Sequence, residues 1–255
     1  MFDGVFRMLS VNCALGSSAA DRTSGSAVGE SATSAAVGPS DACFTWTRTL
    51  SQGATGPDVT QLQIRISGWV EQGETLAVDG VYGPATAAAV RRFKAGYGLQ
   101  NTTGTAGPET FNIIYSLQKQ DCTPTHFSYP EFTGGCGETG FSGGAVPASV
   151  VRQNLLLVMW QLEALRHKLG DRPIVITSGF RSVSCNSRVG GATNSLHTFG
   201  KAADLGLASR PSQCQLWRTA RTCGFREILG PGYPGHDDHV HVANRDTQFW
   251  RAPNC

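Results

Sequence analysis

Along PASVVRQNLLLVMWQLEALRHKLG the apolar residues Val151, Leu155, Val158, Leu162 and Leu165 recur every three or four positions. That period fits a 3.6-residue turn, so the stretch predicts a long amphipathic helix that ends at Gly170. SQCQLWRTARTCG also reads as helix. RPIVITSGFRS alternates instead, which predicts a strand with Ile174 and Ile176 buried, running into a loop that carries Arg181. KAADLGL, FREILG and DHVHVAN read as further short strands. A mixture of helices and short strands over residues 147–255 predicts an α+β domain with a small antiparallel sheet.

The N-terminal half has a different pattern, because it repeats. GVYGPATAAAVRRF begins at Gly80 and GTAGPETFNIIYSL at Gly104, a constant offset of 24 residues. Gly83 pairs with Gly107, Pro84 with Pro108, Thr86 with Thr110, Val90 with Ile114 and Phe93 with Leu117. Each copy reads as a glycine turn, a proline at the first helical position and a short helix. A fainter third copy is GATGPDVTQLQIRI. Together they predict an all-α three-helix unit over residues 43–122, with its core from Leu62, Ile66, Val90, Phe93, Phe111 and Ile114. Residues 123–146 read as a Pro/Gly-rich connector. Residues 1–42 read as a leader and disordered linker, rich in Ser, Ala, Gly and Thr.

Composition narrows the function classes. Only 16% of the 255 residues are charged and the net charge is +2. No basic stripe is present, which argues against nucleic acid as a partner. No segment reaches the roughly 18 consecutive apolar residues of a membrane span. The 8 cysteines are dispersed, with no CxxC pair. Dispersed cysteines point to disulfides in an oxidising compartment, so a secreted protein is expected. The start MFDGVFRMLSVNCALGSSAA carries one basic residue, Arg7, and an apolar run broken by Asn12. Only its small-residue end fits a secretory signal.

The chemistry is concentrated in two stretches that hold four of the 6 histidines. SLHTFGKAADLG places His197 and Asp204 on either side of Gly200, where a loop can bend into a strand and bring the two side chains together. Both are zinc-ligand types. PGYPGHDDHVHVAN adds His236, His239 and His241, with Asp237 and Asp238 between them. If DHVHV is a strand, His239 and His241 share one face, and periodicity alone does not choose between them. The preceding loop would bring His236 and Asp238 to the rim. Ser195 either lines the site or caps a loop.

Two resemblances follow from these residues. The paired G-x-x-G-P-x-T turns resemble those of the peptidoglycan-binding domains of bacterial wall enzymes, over about 65 residues, which implies a wall-anchoring module without chemistry of its own. SLHTFGKAADLG matches the S-x-H-x-x-G-x-A-x-D motif of the zinc D-alanyl-D-alanine carboxypeptidases, a family similar in fold to the hedgehog signalling domain. EILGPGYPGHDDHVHVA and SGFRSVSCNS look like the same family's other blocks, so the resemblance runs from Cys43 to Cys255.

The second resemblance implies one zinc ion held by His197, Asp204 and His241. Asp238 would be the general base, His236 the oxyanion stabiliser and Arg181 a substrate-positioning cation, with His239 supporting or structural. It also implies disulfides Cys43–Cys122, Cys136–Cys185 and Cys214–Cys255, leaving Cys13 and Cys223 over, with Cys223 a buried small hydrophobe. The expected activity is hydrolysis of the D-alanyl-D-alanine bond of peptidoglycan stem peptides by a monomer. An endopeptidase for cross-bridges or stem peptides, or a metal-bearing binding module, are the alternatives.

Overall fold

Each helix of the N-terminal lobe begins at a Gly-Pro step. In the computed structural model, which describes residues 43–133, 140–206 and 211–255, α1 (Pro57–Ile66), α2 (Pro84–Gly96) and α3 (Pro108–Ser116) follow Gly56, Gly83 and Gly107. Proline suits the first position because its missing N–H would have no helical acceptor there. Gly56 has φ +133°, and a Cβ on it would lie 2.9 Å from the Asp58 carboxylate, so this turn requires glycine. Short bridges from Leu50 to Ala106 and from Thr55 to Val81 clip the repeats together.

All six residues expected in this core are buried. Trp46 joins them, stacked on Phe111 with centroids 4.9 Å apart. The Cys43–Cys122 disulfide closes the lobe.

A 3-10 turn, Tyr129–Phe132, leads towards α4 (Ala148–Lys168). The predicted stripe of Val151, Leu155, Val158, Leu162 and Leu165 is wholly buried in the C-terminal core. Each such side chain contributes about 1.5–3 kcal/mol by leaving water. The opposite side of α4 is also buried, because Trp160 and Ala164 belong to the core of the helical lobe. A Cβ on Gly68, just after α1, would meet the Ala164 methyl at 2.5 Å, so the two elements touch through glycine. Asp41 to Cys255 therefore form one compact unit. Gly170, at φ +77°, ends the helix in the left-handed region.

Five strands follow: β1 (Val175–Ser178), β2 (Ala202–Gly206), β3 (Glu227–Leu229), β4 (His239–Ala243) and β5 (Phe249–Arg251). Two helices lie between them, α5 (Val183–Arg188) and α6 (Gln213–Ala220). The strand order is β1-β2-β4-β3-β5. The expected antiparallel sheet is corrected here to a mixed one. β1–β2, β2–β4 and β4–β3 are antiparallel, but β5 runs parallel to β3. After β4 the chain passes to the far side of β3, and the three residues of β5 are too few to show a period. Ile174 and Ile176 are half-buried rather than buried, because β1 is an edge strand.

Cys214–Cys255 ties α6 to the C-terminus, and Cys223 is a buried free thiol. Cys185 is disulfide-bonded. Its expected partner Cys136, like Cys13 and the leader and linker over 1–42, lies outside the described residues. No helix among the described residues is long and apolar enough to cross a membrane.

Candidate metal centre

Strands β2 and β4 build the site by their period of two. Ala203, Leu205, Val240 and Val242 point into the core. Asp204 and His241, directly opposite each other in the ladder, therefore point to the other face. His197 arrives from a 3-10 turn, Leu196–Phe199, that ends at Gly200 with φ +68°. A Cβ there would meet Val151 at 2.8 Å, so only glycine lets the chain turn against α4 and enter β2. The spacing of SLHTFGKAADLG is thus a turn, a left-handed glycine and the third residue of a strand.

The three groups meet in a buried cluster in which one donor atom from each lies within 4.8 Å of the others. His197 Nε2 is 3.2 Å from Asp204 Oδ1 and 3.2 Å from His241 Nδ1, and His241 Nδ1 is 2.8 Å from Asp204 Oδ1. Their other atoms settle the ring tautomers. His197 Nδ1 is 2.5 Å from the Gly179 carbonyl, which can only accept, so Nδ1 carries the proton. His241 Nε2 donates to Glu227 Oε1 at 3.2 Å. In the neutral rings, His197 Nε2 and His241 Nδ1 then turn lone pairs towards each other and towards a carboxylate oxygen.

Three acceptors facing one another away from water repel unless a cation lies among them. Zinc bonds of about 2.0–2.1 Å at the tetrahedral angle would set ligand atoms about 3.3 Å apart, close to the observed spacings. The donor set therefore fits a zinc ion.

Without a cation, protonation relieves that repulsion instead. Burial raises Asp204, but hydrogen bonds and charges from His197 and His241 outweigh it and hold the carboxyl well below the usual range. Burial lowers His197, and a hydrogen bond to the Asp204 carboxylate opposes that. Burial also lowers His241, but hydrogen bonds to Asp204 and Glu227 overcome it and raise the ring to about 9 in the absence of a cation.

Around this cluster lies a cleft of about 950 Å³ whose lining includes Arg181, Ser195, Glu227, Tyr233, His236 and His239. Arg181 Nη2 binds Asp204 Oδ2 at 2.5 Å and its Nε donates to Ser178 Oγ at 2.8 Å. The guanidinium expected to face substrate is thus also tied to the Asp204 carboxylate. His236 Nδ1 donates to the Pro234 carbonyl at 2.9 Å, and burial holds the ring below its ordinary value. His236 packs 4.8 Å from His239 and 5.9 Å from His241, centroid to centroid. Asp238 is not among the residues lining this cleft; its side chain is 90% exposed, with the carboxylate accepting from His239 Nδ1 at 2.7 Å. That hydrogen bond lowers Asp238, which is therefore a carboxylate at neutral pH. His239 Nε2 lies 3.7 Å from Asp204 Oδ1, further than His241 Nδ1.

Sequence reading missed Glu227 and Arg245. Glu227 bonds His241 through one carboxylate oxygen and Arg245 Nη1 through the other. A glutamate opening a strand whose next two residues are apolar, as in EILG, was the available signal.

Comparison with known proteins locates these features. Residues 125–243 match the model of the family Peptidase M15, and residues 55–114 that of a putative peptidoglycan binding domain. The chain is 55% identical over 222 residues to a zinc D-Ala-D-Ala carboxypeptidase of Streptomyces albus G, covering 87% of this chain and 86% of the relative. Among solved structures, a Burkholderia AP3 phage endolysin aligns at 24% identity and TM-score 0.24, covering 48% of this chain and 38% of its own. A fused Zn-dependent amidase/peptidase/peptidoglycan-binding protein from Clostridium acetobutylicum aligns at 16% identity and TM-score 0.25, covering 52% and 48%.

Proposed function

The chain belongs to the zinc D-Ala-D-Ala carboxypeptidases of peptidase family M15, and on that premise we propose that it removes the terminal D-alanine from peptidoglycan stem peptides. The observation that carries this reading is the convergence of His197 Nε2, Asp204 Oδ1 and His241 Nδ1 on one point beside an open cleft. We assign the metal to these three residues, one zinc per chain. Bound there, zinc supplies Lewis-acid polarisation of the scissile carbonyl and acidifies a water.

The remaining work falls to the side chains. Asp238, ionised and exposed beside His239, takes the proton of the attacking water and passes it to the leaving amine. His239 steadies Asp238 through its Nδ1–H. His236, which lines the cleft, is assigned the role of donating to the oxyanion as charge develops. Because its Nδ1 donates to Pro234 and burial disfavours the doubly protonated ring, donation from Nε2 needs the ring proton to move there from Nδ1, breaking that bond. Arg181 has donors left over from Asp204, and these position the substrate's terminal carboxylate. Ser195 lines the approach.

The proposed division of labour follows the sequence boundaries. Residues 43–122 hold the wall, 123–146 connect, and 147–255 form a hedgehog-like catalytic domain. The protein would act as a monomer at the wall, outside the cell.

Product analysis tests the activity. The zinc-loaded protein is incubated with a pentapeptide ending in D-Ala-D-Ala and with cross-linked wall fragments. Loss of one alanine from the pentapeptide is expected. Cleavage only inside cross-linked fragments would instead establish an endopeptidase and reassign Arg181. No cleavage of either, with zinc bound, would leave a binding module.

A further inference from the structure

Glu227 lies on β3, two positions along from Leu229, the residue that faces His241 in the ladder. Glu227 and Leu229 share one face of the strand, so the glutamate reaches His241 diagonally across the sheet. Its side chain is 16% exposed, and its Oε1 accepts from the His241 Nε2–H at 3.2 Å. The second oxygen is taken by Arg245 Nη1, on the segment that leaves β4. A continuous chain therefore runs from Arg245 through Glu227 to the ring whose other nitrogen faces His197 and Asp204.

The His197 ring has only a backbone carbonyl in the corresponding place, at Gly179. A backbone carbonyl is fixed by the fold, whereas a glutamate has three rotatable bonds and holds still only if something holds it. Arg245 supplies that restraint. Without Glu227, the His241 Nε2–H would have no acceptor among the contacts described here. The ring could then carry its proton on Nδ1 and donate it to Asp204, turning a donor towards the point where a lone pair is needed.

We propose that Glu227 is a positioning residue for the metal centre, locking the tautomer and ring angle of His241, and that Arg245 orients Glu227. The inference rests on the reading of His197, Asp204 and His241 as the zinc site. A ligand histidine held by a carboxylate is also a better electron donor, so the effect extends to affinity as well as orientation.

The test uses the full chain and zinc itself, with dissociation constants measured by chelator competition, and cobalt(II) substitution as a spectroscopic probe. E227A is expected to bind zinc about 10–100-fold more weakly than wild type. Its cobalt(II) visible bands should shift in position or intensity, which a remote packing defect would not cause. E227Q keeps the volume and an acceptor oxygen, so it should recover part of the lost affinity. It also carries the test should E227A fail to fold. R245A should give a smaller loss in the same direction. In an H241A background, E227A should add no further loss of affinity.

Zinc affinity within twofold of wild type in E227A or E227Q, with unchanged cobalt bands, would overturn the proposal. So would an equal loss in the H241A background. If wild type itself takes up no stoichiometric zinc, the zinc-site reading fails instead, and the two failures are thereby distinguished.

Discussion

Two buried polar clusters, one in each lobe, are built in opposite ways. In the helical lobe Gln63 and Lys94 are answered by partners of complementary kind, although Arg65 Nη2 and Thr110 Oγ1 are left without one. The Gln63 amide donates to Asp79, Val81 and Thr86, and its oxygen accepts from the Asp79 and Gly80 N–H groups. Lys94, with no exposed side-chain surface, meets the Glu109 carboxylate at 2.8 Å. At the β2–β4 site, once both rings are neutral, acceptors face acceptors across about the same distance. A closed set of hydrogen bonds specifies a fold and nothing further. A set that is buried but left open in one sense specifies a ligand of opposite charge.

Experiments can break or sharpen this contrast. The largest effect is expected from His197→Ala, which should reduce peptide hydrolysis to background and abolish stoichiometric zinc, as read by metal analysis, while wall-fragment binding persists. Asp238→Asn should separate metal from turnover. It keeps about one zinc, and its kcat falls roughly 10²–10⁴-fold, the usual span for losing a general base. Full activity in that variant would remove Asp238 from the base role.

Stripping the metal with a chelator should lower the melting temperature, because zinc binds only the folded site. The shift corresponds to about 4 kcal/mol at a thousandfold excess of zinc over its dissociation constant. An unchanged melting temperature would mean that the open acceptor set is stable alone, and the contrast between the lobes would fail.

A smaller cost attends Glu109→Gln, which leaves Lys94 buried with a weaker partner. Glu109 is 39% exposed, so solvent screening limits the loss to about 1–2 kcal/mol, read from chemical denaturation. The pH dependence has a definite sign. The hydrogen bond from Lys94 holds Glu109 below its ordinary 4.5. Its contribution is therefore fully present above pH 4.5 and is lost as pH falls through the depressed folded value. Wild type should lose stability over that acidic window more steeply than the Gln variant, with equal slopes counting against the pair.

The helical lobe was legible almost in full, since Gly-Pro starts and apolar spacing are local signals and the repeat shows them three times. The buried stripe of α4 was legible for the same reason. Of the site, the histidines and aspartates were visible because rare residue types cluster in two short stretches. What escaped depends on strand pairing. Glu227 reaches His241 only through the β3–β4 ladder, and Arg245 reaches Glu227 only after β4 has ended. The parallel course of β5 escaped because three residues carry no period. Periodicity put His239 and His241 on one face, whereas the distances to Asp204 separate them.

The double-sided burial of α4 bears on how such an enzyme covers a surface. Trp160 and Ala164 sit in one core while Leu155 and Leu162 sit in the other. Anchor and cutting edge therefore travel together, with no tether along which the blade could swing. Once docked on the polymer, the protein works only the stem peptides within a fixed radius of its foothold. Progress across the wall then depends on letting go and landing again, so the tightest grip would not give the fastest trimming.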